Sequence, residues 1–209
     1  MEEVHKNPKY KIIVFDFDGT LVPSNLIKRE CFFSVAREYI NEDIIIEKIL
    51  DHCKGDRTVI FSKFAKDLKL NKSALDNLLL SYSNKTRKAI SRLEFYPGAI
   101  NFIKAAKNLG ILTILSSATP HEEINLIASD LKIQILFEKI LGGPESKESR
   151  LKKIQCEYNC EFQEILVIGD GEDDYLSAKN TGAHFIPVND AVHFSENHTK
   201  LDFDEIILK

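Results

Sequence analysis

The segment Lys11-Ile12-Ile13-Val14-Phe15-Asp16-Phe17-Asp18-Gly19-Thr20-Leu21 joins a short apolar run to an abrupt acidic turn. An unbroken apolar run of this length predicts a buried strand of a parallel sheet, because a strand covered on both faces loses the alternation of a half-exposed one. Three later runs repeat the pattern: residues 111–115 before Ser116, 165–168 before Gly169-Asp170, and 185–188 before Asn189. A weaker run at 137–141 ends at Gly142-Gly143-Pro144. Between the runs, Phe102, Ala106 and Leu109 fall at helical spacing after Pro97-Gly98, and 147–158 and 173–180 also suit helices. Strands alternating with helices predict an α/β fold, a parallel sheet doubly wound with helices on both faces.

Residues 23–93 interrupt that alternation with helical patterns and no strand. Leu26, Phe33, Ala36 and Ile40 form one apolar stripe. Ile60, Phe61, Phe64 and Leu68 form a second, and Leu75, Leu78, Leu79 and Tyr82 a third. Asn71-Lys72-Ser73 supplies a turn and an N-cap between the last two of these helices. The expected organisation is a core of residues 1–22 and 94–209, with a small all-helical cap, 23–93, inserted after the first strand. Such a block is expected to stand over the strand's carboxyl end, where open α/β sheets bind ligands.

Composition narrows the function classes. The 209 residues are 44% hydrophobic and 29% charged, which suits a folded globular chain. Lys and Arg number 28 against 32 Asp and Glu, a formal charge of −4. That balance argues against a nucleic-acid or membrane-surface binder, whose affinity comes from a basic face. No apolar run approaches the roughly 20 residues that cross a bilayer. Met1-Glu2-Glu3-Val4-His5 is unlike a secretory signal, so a soluble, cytoplasmic protein is expected. The cysteines Cys31, Cys53, Cys156 and Cys160 do not make a disulfide scaffold. Cys156 and Cys160 would share a helix face as small hydrophobes, since no second pair completes a zinc site.

Four polar clusters follow four of the runs: Asp16-Phe17-Asp18-Gly19-Thr20-Leu21, Ser116-Ser117-Ala118-Thr119, Lys147 within Gly143-Pro144-Glu145-Ser146-Lys147, and Gly169-Asp170-Gly171-Glu172-Asp173-Asp174. Carboxylates from two strand ends would hold a hard cation such as Mg²⁺ through oxygen. A hydroxyl and a lysine beside them would hold a phosphate. Ser116 is preferred over Ser117 for the hydroxyl because it ends the apolar run. Lys147 is preferred over Lys152 and Lys153 because of the Gly-Gly-Pro loop before it.

This ordered set, Asp-x-Asp-Gly-Thr-Leu, a strand-end Ser, a Lys, and Gly-Asp-x-x-x-Asp, resembles the haloacid dehalogenase superfamily of phosphohydrolases. The helical insertion is similar to that of the phosphoglycolate phosphatase and β-phosphoglucomutase group. The resemblance implies Asp16 as nucleophile and Asp18 as general acid and base. It implies Mg²⁺ held by Asp16, the Asp18 carbonyl and Asp170, with Asp174 as ligand or orienter, a role Glu172 or Asp173 could take instead. Ser116, Lys147, Thr20 and the backbone near Ser117 would hold the phosphoryl group. The substrate would be a small phosphorylated metabolite.

In the expected cap, Cys53-Lys54-Gly55-Asp56-Arg57 resembles the family's specificity loop, with Lys54, Gly55 and Arg57 meeting a distal anion. The early cap helix carries Lys28 and Arg29 but no His, which disfavours a mutase. A phosphomutase, phosphonate cleavage through Lys28, a non-enzymatic aspartyl-phosphate switch and a binding protein without catalysis are the alternatives. Phe203 and Ile206-Ile207-Leu208 suit a last edge strand or a helix.

Overall fold

The computed structural model describes residues 8–53, 55–189, 191, 200–206 and 208. Strands β1 (Ile12–Phe15), β2 (Leu112–Pro120), β3 (Lys139–Gly143), β4 (Ile165–Gly169) and β5 (His184–Pro187) form one parallel sheet in the order β3-β2-β1-β4-β5. The chain moves outward from β1 to β2 and β3, then returns across β1 to β4 and β5. The order therefore reverses beside β1, and the crevice at the carboxyl ends of strands at such a point is where these sheets take ligands.

The pleat of β1 divides the core. Ile12 and Val14 face Leu151 and Ile154 of α7 (Lys147–Tyr158) and Ala178 of α8 (Glu172–Thr181). Phe15 meets the rings of Phe102 from α5 (Ala99–Asn108), Phe137 and Phe203 at 6.1, 6.1 and 6.5 Å. Helix α6 (His121–Asp130) packs beside β2 and β3. The expected helix after Pro97-Gly98 ends at Asn108, so Leu109 lies past its last turn and is exposed instead of inward. The strand expected at 137–141 begins two residues later, after Phe137 has turned into the core. Beyond β5, Leu201 bridges to Val188 and Phe203–Glu205 forms one 3₁₀ turn, in place of the expected full strand or helix. Ile207 lies outside the described residues.

By contacts the chain divides into two compact units, Met1–Pro23 with Leu93–Lys209, and Ser24–Arg92. The second consists of α1 (Asn25–Ala36), α2 (Asp43–His52), α3 (Arg57–Asp67) and α4 (Lys72–Ile90). Its centre is aromatic: Phe32 stacks on Phe61 at 4.4 Å, and Tyr82 meets Phe61 edge-on at 5.3 Å. The stripe of α1 is rotated from expectation. Phe32, Val35 and Ala36 are buried, while Leu26 is 75% exposed. Both sets have helical spacing, and α1 turns inward the one whose ring reaches Phe61. Helix α2 buries Ile46 and Ile49 and belonged to none of the three stripes. Asn71 caps α4 by accepting from the Ala74 N–H at 2.9 Å, and Asp56 caps α3 the same way.

Phe203 is 1% exposed and fills the space between Phe15 and Phe102. Phe203→Ala is expected to cost about 3–5 kcal/mol in urea unfolding. Ile135→Ala, at a position 82% exposed, is expected to stay within about 0.5 kcal/mol of the parent.

Candidate functional site

The site starts where β1 ends. The Asp16 N–H donates to the Ile168 carbonyl at 2.9 Å, which seats Asp16 between the ends of β1 and β4. Phe17, Leu21 and Val22 are fully buried and anchor the following loop from below. Gly19, at φ +71°, turns the chain back so that its N–H reaches the Val22 carbonyl at 2.8 Å.

Carboxylate oxygens of Asp16, Asp170 and Asp174 lie within 4.8 Å of one another. Asp170 follows β4, and Asp174 sits in the first turn of α8 beside Glu172 and Asp173, where the helix dipole favours acids. Gly169 makes room for this approach, since a Cβ there would fall 2.4 Å from Asp174 Cγ. Lys147 Nζ, at the start of α7, contacts Asp16 at 3.0 Å, Asp174 at 2.8 Å and the exposed Asp173 at 3.2 Å. Asp16, Asp174 and Lys147 are all buried, so the ammonium stands against two desolvated carboxylates. Burial pushes the Asp174 carboxyl well above its ordinary range and Asp16 above it, against the pull of Lys147 in both cases. Burial disfavours the lysine's charge, yet the facing carboxylates hold its pKa well above the ordinary value.

The expected residues do not all take the places assigned to them. Strand β2 does not stop at Leu115 but continues through the hydroxyls to Pro120. Its pleat therefore sends adjacent serines to opposite faces. Ser116 shares the Ile114 face and accepts from Arg150 Nη1 of α7 at 2.9 Å. Ser117, not Ser116, turns its hydroxyl to the carboxylates, donating to Asp18 Oδ2 at 3.4 Å, and Thr119 Oγ1 donates to the same oxygen at 3.2 Å. The buried Thr20 hydroxyl donates to Asp170 Oδ1 at 2.8 Å and so orients a carboxylate.

Thr119, Asn189 and Arg150 carried no sequence-based role. Thr119 lies two residues from Ser117 on a strand, and that spacing was its available signal. Asn189, buried at φ +49°, donates to the Thr20 carbonyl at 2.6 Å across 169 positions. No local pattern could reveal that contact.

Gly55 and Arg57 belong to the helical unit, and Lys54 lies outside the described residues. Gly55 turns at φ +142°, while Arg57 donates to Ser83 Oγ at 2.8 Å and lies over the Tyr82 ring at 5.4 Å. Cys156 and Cys160 do not share a helix face: α7 ends at Tyr158, Asn159 turns left-handed, and Cys160 packs into the core.

Lys147→Met leaves Asp16 and Asp174 facing each other without a cation. It is expected to cost about 3–5 kcal/mol at pH 7 in chelator-containing urea titrations. Both carboxyls are raised from an ordinary 3.8, so above that value the folded state binds more protons than the unfolded one. Stability from this source falls as pH rises, and the variant's deficit is expected to shrink between pH 7 and pH 5.

No described helix is long and apolar enough to cross a membrane. The chain is 23% identical over 181 residues to phosphoglycolate phosphatase 1 of Pseudomonas aeruginosa, a match covering 82% of this chain and 66% of that protein, just under two thirds of its length. It is 27% identical over 189 residues to the phosphoserine phosphatase of Methanocaldococcus jannaschii, covering 83% of each. A Haemophilus somnus structure described as a predicted phosphoglycolate phosphatase superposes with a TM-score of 0.74 at 17% identity, over 96% of this chain and 90% of that one, a likeness of fold. The model of haloacid dehalogenase-like hydrolases matches residues 13–188, from the first strand through every acidic residue of the cluster to the end of β5, and the chain belongs to that family.

Proposed function

We propose that this hydrolase is a Mg²⁺-dependent phosphatase that removes phosphate from a small phosphorylated metabolite through an aspartyl-phosphate on Asp16. The carrying observation is the charge imbalance at the strand ends, where one lysine contacts Asp16, Asp173 and Asp174, and an oxygen of Asp170 lies within 4.8 Å of Asp16 and Asp174. The donor set is entirely oxygen, which fits a hard divalent cation and not a thiolate-seeking metal. Asp16, Asp170 and Asp174 would hold it with the carbonyl of Asp18. When bound, such an ion supplies positive charge opposite the phosphoryl oxygens.

Asp16 attacks phosphorus while Asp18 gives its proton to the departing alcohol. Asp18 then takes a proton from water, which attacks the phosphorus of the acyl phosphate and restores the Asp16 carboxylate with release of inorganic phosphate. Ser117 and Lys147 hold the phosphoryl oxygens, and positioning accounts for most of the rate. Thr20 keeps Asp170 aimed at the cation. The names of two relatives support the substrate class: phosphoglycolate and phosphoserine are both small phosphorylated acids. In this reading the helical insertion acts in substrate selection, with Arg57 its candidate for recognising a second phosphate or a carboxylate.

The test is phosphate release from a panel of phosphorylated acids, sugars and nucleotides, with Mg²⁺ and with chelator. Turnover is expected only with metal, and Asp16→Asn should reduce it to background. Asp18→Asn is expected to lose about 10²–10⁴-fold in kcat. Ser117→Ala should lose on the order of 10²-fold and Ser116→Ala far less. Full activity in Asp16→Asn, or turnover indifferent to chelator, would overturn the proposal.

A further inference from the structure

Arg150 is 3% exposed, yet it makes no ion pair among the described residues. Its guanidinium is spent on uncharged acceptors from three separate segments. Nη1 donates to Ser116 Oγ at 2.9 Å, the Ser117 carbonyl at 2.9 Å and the Leu141 carbonyl of β3 at 3.3 Å. Nε donates to the Glu145 carbonyl at 3.0 Å, and Nη2 donates to the same oxygen. Burial lowers the guanidinium's pKa, while the charges of Glu145, Asp16, Asp173 and Asp174 oppose that fall.

Burying an unpaired guanidinium is costly, so its arrangement calls for a reason. The acceptors supply one. Ser117 is held by its carbonyl on one side and presents its hydroxyl to Asp18 on the other. Glu145 closes the loop into α7, two residues before Lys147, and Arg150 lies one helical turn beyond that lysine. One planar fork therefore references the β2 hydroxyls and the α7 lysine to the same rigid group. A lysine, a point charge on a flexible stem, cannot make that set of directed bonds.

We propose that Arg150 is a positioning residue for phosphoryl transfer, locking Ser117 and Lys147 into one frame so that they grip the phosphoryl group together. It rests on the hydrolytic reading above, and it assigns Arg150 to the frame that holds Ser117 and Lys147, the groups that would grip the anion. Misplacing catalytic groups by about 1 Å costs on the order of 10²-fold. Arg150→Ala and Arg150→Lys are both expected to lose about that much in kcat/KM.

The decisive arm is chemical rescue of Arg150→Ala. Millimolar guanidinium should restore most of the lost rate, because it can refill the vacated set of acceptors, whereas equal urea should not. A merely structural loss would not respond to guanidinium in that way. Wild-type rates in both variants, or equal effects of guanidinium and urea on Arg150→Ala, would each overturn the proposal. Should Arg150→Ala fail to fold, Arg150→Lys carries the rate arm, together with its affinity for inorganic phosphate, which is expected to weaken. Absence of turnover in the wild type would sink the hydrolytic reading alone. Calorimetric binding of inorganic phosphate would then test Arg150: weaker affinity in the variants, with guanidinium rescue, is expected, and unchanged affinity refutes it.

Discussion

The structure turns on the burial of two carboxylates, Asp16 and Asp174, against the single ammonium of Lys147. Three ionised groups withdrawn from water are tolerable only when geometry compensates for lost hydration. The fold provides that geometry by convergence. Asp16 comes from the end of β1, Asp174 from the first turn of α8 and Lys147 from the first turn of α7. Each occupies the start or end of a regular element, and all three side chains are buried there. The remaining excess of negative charge is the physical basis for expecting a cation to bind there.

Around that cluster, the polar atoms that would otherwise be wasted are used to hold backbone. Asn189 ties the chain after β5 to the Thr20 carbonyl, and the Thr20 hydroxyl orients Asp170. Arg150 joins β2, β3 and the α7 entry through carbonyls and one hydroxyl. A left-handed asparagine and a buried arginine are both costly, and both costs are met at the rim of the same site. The apolar residues of the first loop, Phe17, Leu21 and Val22, do the complementary work from beneath.

Much was legible in the linear pattern because its signals are local. Unbroken apolar runs marked β1 and β4 to the residue or nearly so, and Asp-x-Asp-Gly-Thr-Leu marked the chemistry at the end of the first. The helical character of the insertion also followed from periodicity. Where two apolar stripes competed on α1, periodicity could not choose, and stacking of Phe32 on Phe61 decided. Element ends were less legible, since β2 runs on through polar residues that pair with β3.

The sequence by itself determined the fold class, the order of the elements and which residue types gather at the strand ends, because burial pattern and turn chemistry act over a few residues. Tertiary structure alone decided which of Ser116 and Ser117 faces the carboxylates, what the Thr20 hydroxyl holds, and that Asn189 and Arg150 belong to the site's frame. The reason is physical: strand pleat and long-range hydrogen bonds set side-chain direction. Partners 34 and 169 positions apart leave no trace in spacing.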